Sequence, residues 1–82
     1  MNKLIEAKTF LINYLNTHKC DFDNIEYLID TLDYFILGKV PCTVENLDIV
    51  IEDVLVTSSY HRNSELLQVV SLLREKQEAI GV

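Results

Sequence analysis

The residues with the most chemical potential fall in two stretches. His18, Cys20, Asp21 and Asp23 lie close together, and Ser58, Ser59, Tyr60, His61 and Arg62 sit within Val56 to Leu67. Histidine, cysteine and carboxylate are the usual zinc ligands, so His18, Cys20 and His61, with Asp21 and Asp23 beside them, contain the donors a metal would need. Their spacing matches no recognised zinc pattern, and a lone His-x-Cys pair is a weak signal. The plainer role for His18 and Lys19 is to interact with the last carbonyls of a helix, where positive charge is favoured. Cys42 cannot join the set, because it belongs to the far end of the second helix, on the order of 20 Å away.

Ser58, Ser59 and His61 raise nucleophilic catalysis. That chemistry needs a serine, a base held in one tautomer by a third group, and donors for an oxyanion. Residues two or three apart on a turn do not supply such an arrangement, and no glycine-rich elbow surrounds them. The same stretch makes a poor helix-turn-helix: it is long, lacks glycine, and leads into Ser64-Glu65-Leu66 rather than a base-reading helix. Asp21-Phe22-Asp23-Asn24-Ile25-Glu26 has the look of a calcium loop but lacks glycine at the sixth position and has Leu32 at the twelfth. Small acidic helical proteins include acyl carriers, yet no Asp-Ser-Leu opens a helix here. A non-enzymatic protein without a cofactor or metal is the expectation. The polar residues of 56–67 then act as helix signals: Ser58 and Ser59 unwind one helix, Asn63 or Ser64 caps the next, and Tyr60 folds over the bundle end.

These residues need elements to position them. The 82-residue chain is 49% hydrophobic, enough for one domain with one modest core. Apolar residues recur at helical spacing in four segments, at about 2–18, 24–37, 44–57 and 64–80. The first presents Leu4, Ala7, Leu11, Tyr14 and Leu15, widened by Ile5, Phe10 and Ile12. The second follows Asp23 as N-cap and presents Ile25, Leu28, Ile29, Leu32, Phe35 and Ile36, with Gly38 and Pro41 ending it. The third follows Thr43 as N-cap and presents Val44, Leu47, Val50, Ile51, Val54 and Leu55. Its β-branched runs also suit a strand, but alternation fails at Glu52-Asp53. The fourth presents Leu66, Val69, Val70, Leu73 and Ile80, and Gly81 ends it. Short connections at about 19–23, 38–43 and 57–63 predict an all-α, compact antiparallel four-helix bundle.

No apolar run is long enough to cross a bilayer, nothing reads as a signal peptide, and two cysteines make no disulfide framework, so a cytoplasmic location is expected. The net charge is −6, unevenly spread: residues 21–53 carry −8, residues 1–20 carry +2, and residues 54–82 balance. That middle acidity disfavours direct nucleic-acid binding and anionic membranes and favours a basic protein partner.

The second helix carries Glu26, Asp30 and Asp33 beside its core stripe, with Tyr27 and Tyr34 nearly opposite it. On the third, Ile49 and Val56 lie opposite the core, flanked by Glu45 and Glu52. An apolar pair on a nominal solvent face either fills a second core seam or forms a binding surface ringed by acids. The expected protein-binding set is Tyr27, Tyr34, Glu26, Asp30, Asp33, Ile49, Glu52 and Val56, with Tyr60, His61 and Arg62 as a secondary contact. The same seam also suits a regulatory or structural homodimer.

Leu37-Gly38-Lys39-Val40-Pro41, the helix from Val44 to Val56, Tyr60-His61-Arg62-Asn63 and the helix from Glu65 to Glu75 follow an order that resembles the enterocin A-type bacteriocin immunity proteins. The resemblance covers roughly residues 24–75 and rests on short cues. It implies a small cytosolic antiparallel four-helix bundle that protects a producing cell. In that family the last helical hairpin and the C-terminal region govern which bacteriocin is recognised, which would place Tyr60, His61, Arg62 and Asn63 in the corresponding hairpin. Members are often basic, unlike this chain, and usually extend further past the last helix than Val82.

Overall fold

A computed structural model describes residues 2–18 and 22–81, with α1 at Lys3–Thr17, α2 at Phe22–Ile36, α3 at Val44–His61 and α4 at Leu67–Gly81. A 3₁₀ turn, Ser64–Leu66, leads into α4. Each helix packs on its neighbours around a ring, α1 on α2 and α4, and α3 on α4 and more sparsely on α2. The result is a four-helix bundle of 37 × 21 × 21 Å, and among the described residues there is no strand. The β-branched residues of α3 are therefore helical. Val50, Ile51 and Val54 are buried in the shared core, and that packing outweighs their weak intrinsic preference.

The core follows the sequence periodicity closely. Leu4, Ala7, Leu11 and Tyr14 of α1 meet Ile25, Leu28, Leu32 and Phe35 of α2. Leu47, Val50, Ile51 and Val54 of α3 face Leu66, Val69, Val70, Leu72 and Leu73. Four expectations for the core need correction. Ile5, Ile12 and Leu55 are exposed because each lies to one side of its helix's buried stripe. Ile80, although in line with Val69 and Leu73, is exposed because it lies near the C-terminal end of α4, two turns past the last buried residue.

Helix ends show which local signals prevailed. Asn2 caps α1, its side chain accepting from the Leu4 N–H at 2.8 Å, and Thr43 caps α3 by accepting from the Asn46 N–H at 3.1 Å. After α2, Gly38 takes a left-handed φ of 75°. Its N–H bonds the Phe35 carbonyl at 3.2 Å and the Lys39 N–H bonds the Tyr34 carbonyl at 2.9 Å, the paired closure that stops a helix at glycine.

Three end signals work differently from the sequence expectation. Asp23 lies inside α2, in its first turn, not at the cap. Ser58 and Ser59 do not unwind α3, which continues through Tyr60 to His61 and stops only when Arg62 turns left-handed at φ 52°, ψ 40°. Gly81 is the last described residue of α4 and is itself helical, so it lies inside the helix end and not just beyond it. The third connection thereby shrinks to little more than Arg62 and Asn63. No helix among the described residues is long and apolar enough to cross a membrane.

Candidate functional site

Two regions of the bundle carry chemistry. The first is a polar knot where the C-terminal ends of α1 and α3 meet the start of the 3₁₀ turn. Tyr14 is buried, and its hydroxyl lies 3.1 Å from Nδ1 of His61. The side-chain amide of Asn63 donates to that hydroxyl at 3.3 Å and approaches Nε2 of His18 at 3.4 Å. The His18 ring stacks on Tyr14, with centroids 4.0 Å apart.

Donor and acceptor roles follow from this geometry. An amide nitrogen only donates, so we assign Nε2 of His18 as the acceptor and place its proton on Nδ1. There the proton faces Thr17 Oγ1 at 2.9 Å and the Tyr14 carbonyl at 3.2 Å. The Thr17 hydroxyl itself donates to the Asn13 carbonyl at 2.9 Å and is free to accept. Glu65 lies 3.8 Å from His18 Nε2 and pairs with it only when the imidazole is charged.

Asn63 is the hub of the knot. Besides its two amide contacts, its side-chain oxygen accepts from the Glu65 N–H at 2.9 Å, which caps the 3₁₀ turn as its sequence position suggested. Its backbone carbonyl accepts from the Ser58 hydroxyl at 2.9 Å. Ser58, considered above as a nucleophile, is thus buried and committed to a carbonyl.

The up-down topology does bring His18 and His61 to the same end, on either side of Tyr14. Cys20 and Asp21 lie outside the described residues. Among the described residues no group of three histidine, cysteine or carboxylate side chains is arranged to hold a metal ion. Tyr60 does not fold over the bundle end; it stands exposed beside His61, ring centroids 5.7 Å apart, because it lies one turn on from Val56 on the outward side of α3. Arg62 is exposed at the left-handed turn.

The second region is the outer face of α2 and α3. Tyr27, Tyr34, Ile49 and Val56 retain 59%, 48%, 62% and 68% of their surface, so they do not fill a second core seam. Tyr27 of α2 and Val56 of α3 line one cleft of about 190 Å³ with Asn24, Leu28, Asp53 and Thr57. Tyr34 lies one heptad on from Tyr27 along α2, and Ile49 one heptad back from Val56 along the antiparallel α3, so each is displaced by about 10.5 Å along its own helix from that cleft. Ile49 and Glu52 share a shallow depression with Asp48 and Asp53.

The acids on this face are unequal. Asp33 is engaged by Lys8 of α1 at 2.6 Å, and Asp48 accepts from Gln77 at 2.7 Å. Among the described residues no cation pairs with Glu26, Asp30, Glu52 or Asp53. Eight carboxylates and one lysine lie between Phe22 and His61, whereas the charges within α1, the 3₁₀ turn and α4 cancel. Asp53 and Asn24 were not singled out from the sequence. The signal for Asp53 was its position three residues before Val56, on the same side of the helix.

A third surface went unrecognised in the sequence. Phe10 and Gln68 line both of two adjoining grooves between α1 and α4, about 450 and 510 Å³ in volume, which Ile5, Leu67 and Leu72 also line. Ile5, Phe10 and Ile12 read as core residues because they widen the α1 stripe. Only Phe10 is partly buried against the core.

No family model matches the chain, and neither the curated proteins nor the solved structures contain a match to it.

Proposed function

We infer that this protein is a non-enzymatic binding module that recognises a basic protein through the outer face of α2 and α3. One observation carries the reading. Two aromatic and two aliphatic side chains stand exposed on adjacent helices, beside four carboxylates that no cation neutralises among the described residues. Tyrosine with a few aliphatic neighbours provides the apolar anchors that dominate protein interfaces, and an acidic rim speeds encounter with a cationic surface. An immunity factor of the enterocin A type, or an inhibitor of a basic protein, is a form this module would take. The order of elements over residues 24–75 supports the first of these, and the charge supports the second. Affinity capture from a host lysate tests the reading. Wild type should retain a basic protein that is released by salt and absent from the Tyr27→Ala/Tyr34→Ala variant. Equal retention by both proteins removes the surface from consideration.

A second reading is self-association, and the charge distribution relocates it. A second copy placed on the α2–α3 face would meet its own acidity, whereas the α1–α4 grooves lie on α1, the 3₁₀ turn and α4, whose charges together cancel. Sedimentation over a concentration series, with Ile5→Lys as the disrupting variant, tests this; a strict monomer at high concentration ends it.

A further inference from the structure

The α2–α3 face has an internal order that selects the shape of its occupant. Between Tyr27 and Tyr34, the residues nearest the same side of α2 are Asp30 and Thr31; between Ile49 and Val56 on α3, they are Glu52 and Asp53. The order along α2 is Tyr27, Asp30, Tyr34, and along the antiparallel α3 it is Val56, Asp53 with Glu52, Ile49. Each helix thus alternates apolar, acidic and apolar positions in the same direction, starting from the cleft that Tyr27, Asp53 and Val56 share. On each helix the apolar positions are about 10.5 Å apart and the acids lie midway.

We propose that the partner segment is an α-helix with apolar side chains at i and i+7 and lysine or arginine at i+3 and i+4, lying along the α2–α3 groove. The inference rests on the basic-partner reading and adds the shape and register of the occupant. A helix laid along the groove repeats its side chains at the same seven-residue interval, so the apolar positions and the acids between them are met at once. A β-strand presents same-side residues at about 6.6 and 13 Å, and neither matches. Nor do α2 and α3 offer a free backbone edge for a strand, since their N–H and C=O groups are bonded within each helix. A polyproline II segment repeats at about 9.3 Å, more than an ångström short.

Three synthetic peptides of one alanine-rich composition test this by fluorescence anisotropy with the full chain. The first carries leucine at i and i+7 with arginine at i+3 and i+4. The second exchanges those leucines and arginines, keeping charge and helicity. The third arranges the same residues in strict alternation. The expected result is that the first binds at least tenfold tighter than the others, gains helical circular dichroism on binding, and loses at least tenfold with Tyr27→Ala/Tyr34→Ala. Ile49→Ser/Val56→Ser, from the other helix, should lose as much. Equal binding of all three peptides, or undiminished binding by both variants, overturns the helical register while leaving a basic partner in place. No binding by any peptide also overturns this inference, and the lysate capture then decides separately whether a basic partner exists.

Discussion

The Tyr14 hydroxyl and Nδ1 of His61 meet at 3.1 Å across 47 residues of chain, tying the end of α1 to the end of α3. Neither helix packs extensively on the other, since each turns its main faces to α2 and α4. The link is therefore a diagonal brace at one end of the ring. Tyr14→Phe keeps the ring and its stacking on His18 but removes the hydroxyl that contacts both His61 and Asn63. Tyr14 is buried and its partners His61 and Asn63 are half-buried, so the groups left behind regain only part of their solvation. The expected loss is about 1–3 kcal/mol in urea denaturation, with the m-value unchanged.

Asn63 serves the brace and the 3₁₀ turn together, and two substitutions separate those roles. Asn63→Ala removes the cap on Glu65 and both amide contacts, and should cost about 1–2 kcal/mol or more. Asn63→Asp keeps an acceptor for the Glu65 N–H, where negative charge is favoured, but has no N–H to give Tyr14 or His18. It should recover part of the loss. Denaturation midpoints for the two variants measure the split, and equal losses would mean that the cap contributes nothing.

These two predictions mark the limit of what the sequence showed. Asn63 as a cap was legible, because a polar residue before an apolar helical run has a local meaning. Its contacts with Tyr14 and His18 were not, because they join residues 49 and 45 positions apart. The core stripes were legible at their centres and misleading at their edges: Leu11 is buried and Ile12 exposed, although both are apolar and adjacent. Periodicity locates the middle of a face, but only the crossing of neighbouring helices determines its width. For the α2–α3 surface, helical spacing identified Tyr27, Tyr34, Ile49 and Val56 as facing away from the core. The shared cleft of Tyr27 and Val56 depended on inter-helix register, which no local pattern encodes.

Left-handed backbone at two positions gives opposite expectations for glycine. Arg62 holds φ 52° with a side chain, a conformation that costs most residues about 1 kcal/mol. Arg62→Gly should raise stability by roughly 0.5–1 kcal/mol at a C-terminal left-handed position, despite the entropy of glycine in the unfolded chain. Gly38→Ala should lower it by about 1 kcal/mol for the same backbone reason. Apart from its two chain neighbours, nothing lies within 4 Å of the added Cβ at Gly38, so crowding by the rest of the fold does not enter. Thermal midpoints moving in opposite directions are the expected outcome.

Lys3, at the start of α1, pairs with Glu75 of α4 at 3.1 Å and with Glu6 of its own helix at 3.5 Å. The hydrogen bond from its ammonium to Glu75 and the nearby negative charges of Glu6 and Glu75 hold its pKa above the ordinary lysine value. A raised folded-state pKa on a basic group stabilises the fold fully below the unfolded pKa, and that contribution disappears as pH rises through the folded one. The effect is thus flat through neutral pH and falls away only in strong alkali. Glu75→Gln should bring the Lys3 titration, followed by side-chain NMR, back toward the ordinary value. Because the pair is exposed, high salt should shrink the difference.

The binding surface and the core should respond to truncation in opposite ways. Tyr27 and Tyr34 keep about half their surface in solvent, and Ile49 and Val56 keep more, so their removal opens no cavity. Tyr27→Ala/Tyr34→Ala and Ile49→Ser/Val56→Ser should each shift unfolding free energy by no more than about 0.5 kcal/mol per residue. Leu28→Ala and Leu47→Ala remove side chains buried at 1% and 0% from the same two helices, and should cost about 2–5 kcal/mol each. A domain of this size has a stability of order 5–10 kcal/mol, so either core change consumes a large share while the surface changes leave the fold intact. Urea denaturation of the four variants makes the comparison. If the tyrosine pair costs as much as a core leucine, those side chains support the bundle, and any lost binding by that variant no longer reports on a docking surface.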